Sequence, residues 1–315
     1  MVNSERKDLL TSIIHDRVKQ ISSKTIGLSR DSKHYFNKKI YNVEDGVKHL
    51  MEGVVENKPY LVGRFGTSEC AAWVRYERIR LLKYKNYGKC RSTLCNNAGF
   101  FPDDVEYINK YCELLFDLLP EIDLLCTMNT VGESYIVKQY CQNAKLTLLP
   151  VVDPCITGWT KVLEGKKVLV IHPMTDTIRL QYENNRNKIF VGTDILPKFD
   201  LLTIKSVQTI AGNLDERFSD WFQALDYMFE QAISLDFDVA LIGCGAYGLP
   251  LAAKLKRVGK TAIHLGGCLQ LLFGIFGSRW VGNSYVEKYY NKAWVRPGGN
   301  EKPNNSDSIE NGCYW

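Results

Sequence analysis

The chain has no apolar run long enough to cross a membrane. Its longest nearly uncharged stretch, Leu265 to Phe276, is about half the ~20 residues a spanning helix needs. Blocks of lysine or arginine are also missing. Basic and acidic residues number 40 and 35, a net charge of +5, which suits an anionic small ligand or an acidic membrane surface and argues against nucleic acid as a partner. The ten cysteines contain no zinc-binding pattern: Cys90 and Cys95, the closest pair, lack a second pair or a histidine at ligand spacing. Many lie in apolar segments such as Leu124-Leu125-Cys126, where they read as small hydrophobes in a reducing compartment. The opening MVNSERKDLLTSIIHDRVKQ is charged and amphipathic, without the continuous apolar core of a signal peptide, so a cytoplasmic location is expected. No repeat or low-complexity tract precedes the tail.

What remains is an ordinary globular composition, 45% hydrophobic and 24% charged over 315 residues, enough for one large or two modest domains. Short apolar runs read as strands at 60–65, 124–128, 146–151, 168–172, 201–204, 239–242 and 261–265. Helix-length segments at 43–55, 69–83, 103–119, 132–142, 218–235 and 249–258 separate most of them. Strands alternating with helices imply crossovers, hence an α/β, Rossmann-like fold with a mainly parallel sheet flanked by helices. Residues 1–42 read as an amphipathic helix and polar connector serving packing or an oligomer surface, 43–296 as the catalytic domain, and 297–315 as a tail. That tail is rich in Gly, Asn, Ser and Pro but ends in Tyr314 and Trp315, aromatic bulk suited to docking on the body.

The segment DVALIGCGAYGLPLAAKLKRVGKTAIHLGG, from Asp238, reads as strand, glycine-rich turn, helix, strand. Gly243, Gly245 and Gly248 have the spacing GxGxxG at the strand-to-helix junction, where absent side chains let a phosphorylated ligand approach backbone N–H groups and a favourable helix dipole. The bland alternative is a tight turn with close helix packing. A dinucleotide site would need a carboxylate about 20 residues on, but the next strand ends His264-Leu265-Gly266-Gly267. A Rossmann NAD(P)-dependent oxidoreductase is therefore a disfavoured alternative.

In open parallel sheets ligands bind beyond the carboxyl ends of the strands. There the first strand delivers Arg64, a phosphate clamp or an ion-pair partner for Glu69, while Thr67 or Ser68 can cap the following helix. The fourth delivers His172, a candidate base or hydrogen-bonding group, then Thr175 and Asp176 as caps. After His264, Gln270 stands in an apolar stretch and needs a hydrogen-bonding partner, and Arg279 lies beside Trp280. The apolar stretch itself reads as core, or alternatively as a shallow patch touching a lipid-linked acceptor or membrane.

Taken together, the RFGTSE turn, the LIGCGAYGLPLAAKLKRVGKTAIHLGG segment, VLVIHPMTDTI, QLLFGIFGSRW and the terminal GCYW resemble GT-D fold glycosyltransferases of bacterial surface-polysaccharide and glycoprotein pathways, in a divergent branch. The resemblance runs from about Tyr60 to the end. It implies transfer of a hexosyl-type group from a nucleotide-diphosphate sugar to a hydroxyl of a glycan or lipid-linked acceptor. The family's RFGDGE pattern matches Arg64, Phe65, Gly66 and Glu69; it departs at Thr67, where the family has the aspartate of DxE, and at Ser68. A divalent cation bridging a diphosphate wants hard carboxylate oxygens. Either Glu69 holds Mn²⁺ or Mg²⁺ with Asp176 or water, or the site is metal-independent and uses Arg64, Arg279 and backbone N–H groups.

The resulting expectation is that Arg64, Glu69 and His172 do the chemistry and that Gly66, Thr67, Ser68, Gly243, Gly245, Tyr247, Gly248, His264, Gln270 and Arg279 bind the nucleotide sugar. A homo-oligomer and peripheral contact with the inner face of a membrane are compatible partners. A non-catalytic nucleotide-sugar-binding or scaffold subunit of a glycan assembly complex is the second alternative.

Overall fold

A computed structural model describes residues 2–26, 33–56 and 58–315. Residues 27–32, inside the expected 1–42 extension, lie outside the described residues. Among the described residues nine strands form one sheet: β1 (His34–Tyr35), β2 (Lys38–Tyr41), β3 (Leu61–Arg64), β4 (Leu124–Thr127), β5 (Lys145–Leu148), β6 (Lys167–His172), β7 (Asp200–Lys205), β8 (Val239–Ile242) and β9 (Thr261–His264). Their order is β1-β2-β5-β4-β3-β9-β8-β6-β7. Only β1 and β2 pair antiparallel; every other pairing is parallel. The fold is therefore α/β and Rossmann-like.

The longer helices are α1 (Val2–Ile26), α2 (Val43–Val55), α3 (Thr67–Leu82), α4 (Lys89–Ala98), α5 (Val105–Leu118), α6 (Glu133–Tyr140), then, after the short α7 (Pro154–Thr157), α8 (Thr175–Ile189), α9 (Trp221–Ile233) and α10 (Gly248–Arg257). They cover both faces. Alternate residues of one strand consequently enter different cores: Leu169 and Ile171 join one, Val168 and Val170 the other. Two-sided burial of this kind is why the parallel strands read as continuous apolar runs.

The seven expected strands are present with no edge shifted by more than three residues. The third stops at Leu148, because Pro150 starts a 3₁₀ turn over Leu149–Val152. The polar connector before residue 42 holds the β1–β2 hairpin, and β2 extends the sheet beside β5. The stretch 265–276 is core, as expected: Leu265, Leu269, Leu271, Leu272, Phe273 and Ile275 are at most 1% exposed, which removes the alternative of a shallow apolar patch.

The tail docks. Trp315 is buried and its indole Nε1–H donates to the Glu301 carbonyl at 3.2 Å. Glu301 itself, buried, accepts the N–H groups of Asp176 (2.8 Å) and Thr177 (3.3 Å) and the Thr177 hydroxyl. A carboxylate brought from the far end of the chain thus caps α8, a favourable place for negative charge. Thr175 and Asp176 do not cap it from within, since the helix starts at Thr175 and no side chain of its own N-cap residue bonds the first turn.

Candidate active site

The carboxyl ends of six parallel strands open into one cavity of about 440 Å³. Loops after β3 (Arg64 to Glu69), β6 (His172 to Met174), β7 (Ser206 to Ile210), β8 (Gly243 to Tyr247) and β9 (Gly266, Gly267) line it, with Met128 from beyond β4. Gln270, Arg279 and the tail residues Ile309, Glu310, Tyr314 and Trp315 close the perimeter. Of the residues expected to form a site, Arg64, Gly66, Thr67, Ser68, Glu69, His172, Gly243, Gly245, Tyr247, Gln270 and Arg279 meet here. Gly248 and His264 do not; they lie beneath it.

Arg64 borders the cavity with its guanidinium largely unsatisfied. Its Nε is buried with no hydrogen-bond partner and its Nη1 reaches only the Phe65 carbonyl at 3.4 Å. The ion pair with Glu69 is not formed among the described residues; the guanidinium acts on that carboxyl only at longer range, opposing the burial that raises its pKa. A buried positive charge of this kind is costly unless it is paired. Its seat requires glycine: a Cβ on Gly266, at φ +63°, would stand 1.9 Å from Arg64 Nη2.

Glu69 folds back over Gly66, where a Cβ would fall 2.0 Å from Oε2. The helix therefore starts at Thr67 with Gly66 as its N-cap and no side-chain cap, so Thr67 and Ser68 border the cavity instead of capping α3.

Each glycine of the GxGxxG turn has a protein neighbour in its Cβ space. Gly243 meets the Gly266 carbonyl at 2.6 Å, Gly245 (φ +58°) the Ala98 carbonyl at 2.6 Å, and Gly248 the His264 Nε2 at 2.5 Å. Close packing explains all three, and Gly243 and Gly245 border the cavity as well. Beside them Tyr247 is buried, stacked on Trp221 at 5.1 Å, with its hydroxyl 3.0 Å from Thr209 Oγ1.

Both site histidines are buried and neutral. His264 Nδ1–H donates to the Arg64 carbonyl at 3.1 Å, which fixes the tautomer and braces the backbone that delivers Arg64. Burial, helped by the Arg64 charge, pushes its pKa down to about 3. His172 Nδ1 accepts the Met174 N–H at 3.1 Å, so its proton resides on Nε2. Burial pushes it down to about 3 as well, making the ring a hydrogen-bond donor and a weak base.

Arg279 differs from the expectation of a free clamp. It pairs with the Glu310 carboxylate, donates from Nη1 to the Tyr314 hydroxyl at 2.9 Å, and lies over the Tyr314 ring at 4.5 Å. Asp176 is likewise spoken for, bridged to Arg179 at 2.5 Å and Lys205 at 3.4 Å, and it does not border the cavity. No cluster of three or more His, Cys, Asp or Glu side chains suited to a metal occurs among the described residues. Of the expected metal ligands Glu69 and Asp176, only Glu69 borders the cavity.

Sequence reasoning missed Ser206, whose buried Oγ lacks a partner at the end of β7. The carboxyl end of the expected strand 201–204 is the signal that points to it. Gln270 was found: its Nε2 donates to the carbonyls of Ile275 and Tyr314 at 3.2 Å, and its Oε1 is buried without a partner.

Two solved chains align with 85% of this chain and 94% of their own length at 14% identity. One is a selenomethionine-substituted domain of unknown function 1792, with a TM-score of 0.48. The other is described as "the highly conserved domain of unknown function 1792", which "has a distinct glycosyltransferase fold", with a TM-score of 0.47. No protein-family model matches the chain, and no curated protein does.

Proposed function

We propose that the chain is a glycosyltransferase of hexosyltransferase type, binding a nucleotide-diphosphate sugar in this cavity and passing the sugar to a hydroxyl acceptor in surface-polysaccharide or glycoconjugate synthesis. The observation that carries this reading is the meeting of the Arg64–Glu69 loop and the Gly243–Tyr247 turn, far apart in the chain, around one cavity at the carboxyl edge of a parallel sheet. The unpaired Arg64 guanidinium is the group to neutralise charge on a departing diphosphate, the largest single contribution expected in such a transfer. His172 Nε2–H and the unpartnered Ser206 Oγ and Gln270 Oε1 supply hydrogen bonds for sugar or phosphate oxygens. Glu69, its pKa raised by burial, is the acidic group left to receive an acceptor proton.

A non-catalytic nucleotide-sugar-binding subunit is the second reading, favoured by one observation: Thr67 and Ser68 stand where the resembled pattern has Asp and Gly, leaving Glu69 without a partner carboxylate. Titration with a panel of nucleotide sugars, followed by product analysis with candidate lipid-linked or glycan acceptors, separates the two. Transfer or slow donor hydrolysis supports the enzyme, binding without either supports the subunit, and no binding at millimolar ligand, with or without Mn²⁺, contradicts both.

A further inference from the structure

We propose that α1, together with the basic segment at the end of α3 and the loop after it, is a docking surface for an anionic phospholipid bilayer. Leu10, Ile14 and Val18 recur every four residues on α1 and are 41%, 62% and 57% exposed. That spacing stacks them on one face of the helix. The opposite face is the packed one, with Leu9, Ser12 and Asp16 buried against α3 and α6.

Charge is sorted the same way. All three acidic residues of α1 turn to the protein: Glu5 pairs with Arg80 at 2.8 Å, Asp8 with Lys138 at 2.6 Å, and Asp16 accepts the Gly132 N–H at 2.9 Å. Arg6, Lys7 and Arg17 are exposed and form no ion pair among the described residues. The solvent side of the helix is therefore aliphatic and positive, without a compensating carboxylate.

The positive surface continues beyond the helix. Arg17 and Arg75 both act on Arg78, whose Nε is buried without a partner. Arg75 Nε donates to the Asn86 carbonyl at 2.7 Å, which ties the loop 83–89 to this cluster, and Tyr84, 43% exposed, lies under the Arg75 guanidinium at 4.6 Å. Lys83 and Lys85 on that loop and Lys89 at the start of α4 stand exposed with no acidic partner among the described residues.

An aliphatic stripe flanked by long basic side chains is the pattern of a helix lying in a membrane interface, with stems along the acyl boundary and charged ends at phosphate level. Each basic residue near an anionic surface is worth roughly fivefold in binding. Nucleic acid would take the charge but has no use for Leu10, Ile14 and Val18. A second copy of this chain would cover the aliphatic stripe but would bring its own Arg6, Lys7 and Arg17 against the first.

The test is sedimentation of the full chain with vesicles of phosphatidylcholine alone and with about 30% phosphatidylserine added. The expected result is binding to the anionic vesicles only, weakened by salt and reduced tenfold or more both by Leu10→Ser with Ile14→Ser and, separately, by Lys85→Glu with Lys89→Glu. Circular dichroism establishes that each variant is folded, and the second pair, both exposed, stands in if the first is not. Failure to sediment with anionic vesicles at low salt overturns the proposal. So does binding unaffected by folded Leu10→Ser, Ile14→Ser protein, or vesicle-free dimerisation that the same substitutions abolish.

Discussion

Arg64 and Arg279 border the same cavity with the same charge, yet the protein has spent one and left the other free. Arg279 is pinned by Glu310 and Tyr314 of the tail, whereas Arg64 has a buried Nε with no partner and no carboxylate in ion-pair reach. The first holds a wall of the cavity; the second receives no counter-ion from the described residues. The two arginines at this cavity thus differ in whether the chain supplies a counter-ion.

Replacing each arginine should therefore have unequal consequences. Arg64→Ala is expected to weaken nucleoside-diphosphate binding by tenfold or more, the scale of a lost charge-assisted hydrogen bond at about 1.5–3 kcal/mol, with little change in melting temperature. Isothermal titration beside thermal melting measures both. Equal affinity in the variant would remove Arg64 from the site.

Gly266→Ala sharpens the same point while keeping the charge. A methyl group 1.9 Å from Nη2 must displace the guanidinium, and the left-handed backbone adds strain of about 1–2 kcal/mol. Ligand affinity should fall nearly as far as in Arg64→Ala, with a measurable loss of stability as well. Unaltered affinity would mean that the position of Arg64 against Gly266 is irrelevant to binding.

The Arg64 arm also stands on a neutral imidazole. His264, which holds the Arg64 carbonyl, has a folded pKa of about 3 against an ordinary 6.5. A base depressed in this way stabilises the fold above pH 6.5 and loses that contribution as pH falls toward 3, because the unfolded chain takes up the proton first. His172 acts in the same direction. Stability measured by denaturant titration should fall on acidification through this window, less steeply in His264→Gln; an identical slope in that variant would contradict the assignment.

Breaking the Arg279 arm should matter least. Glu310 is more than half exposed, and ion pairs of that kind contribute about 0–1 kcal/mol. Glu310→Gln is expected to leave the melting temperature almost unchanged while speeding limited proteolysis of residues 302–315. If it weakened ligand binding as much as Arg64→Ala, the contrast between the two arginines would be lost.

The sequence carried the centre of the fold better than its edges. Val239–Ile242 and Val43–Val55 were legible to the residue, since two-sided burial and amphipathic spacing leave strong patterns. The β1–β2 hairpin was not, its strands being two and four residues long and mostly polar, and neither was α4, whose KCRSTLCNNA buries only Leu94 and Ala98. In the site, strand ends were readable because a parallel sheet gathers its carboxyl ends on one edge. The capture of Arg279 by Glu310, and of the α8 terminus by Glu301, depends on contacts made 31 and 125 residues away, which local pattern does not encode.

The most direct test is ligand-observed NMR of the intact chain with nucleoside diphosphates and their sugars, run beside Arg64→Ala. Saturable binding at or below millimolar ligand, lost in the variant and preserved without added metal, is the expected result. Absence of binding in the intact chain, or binding that Arg64→Ala leaves unchanged, would contradict the claim that this cavity holds a diphosphate.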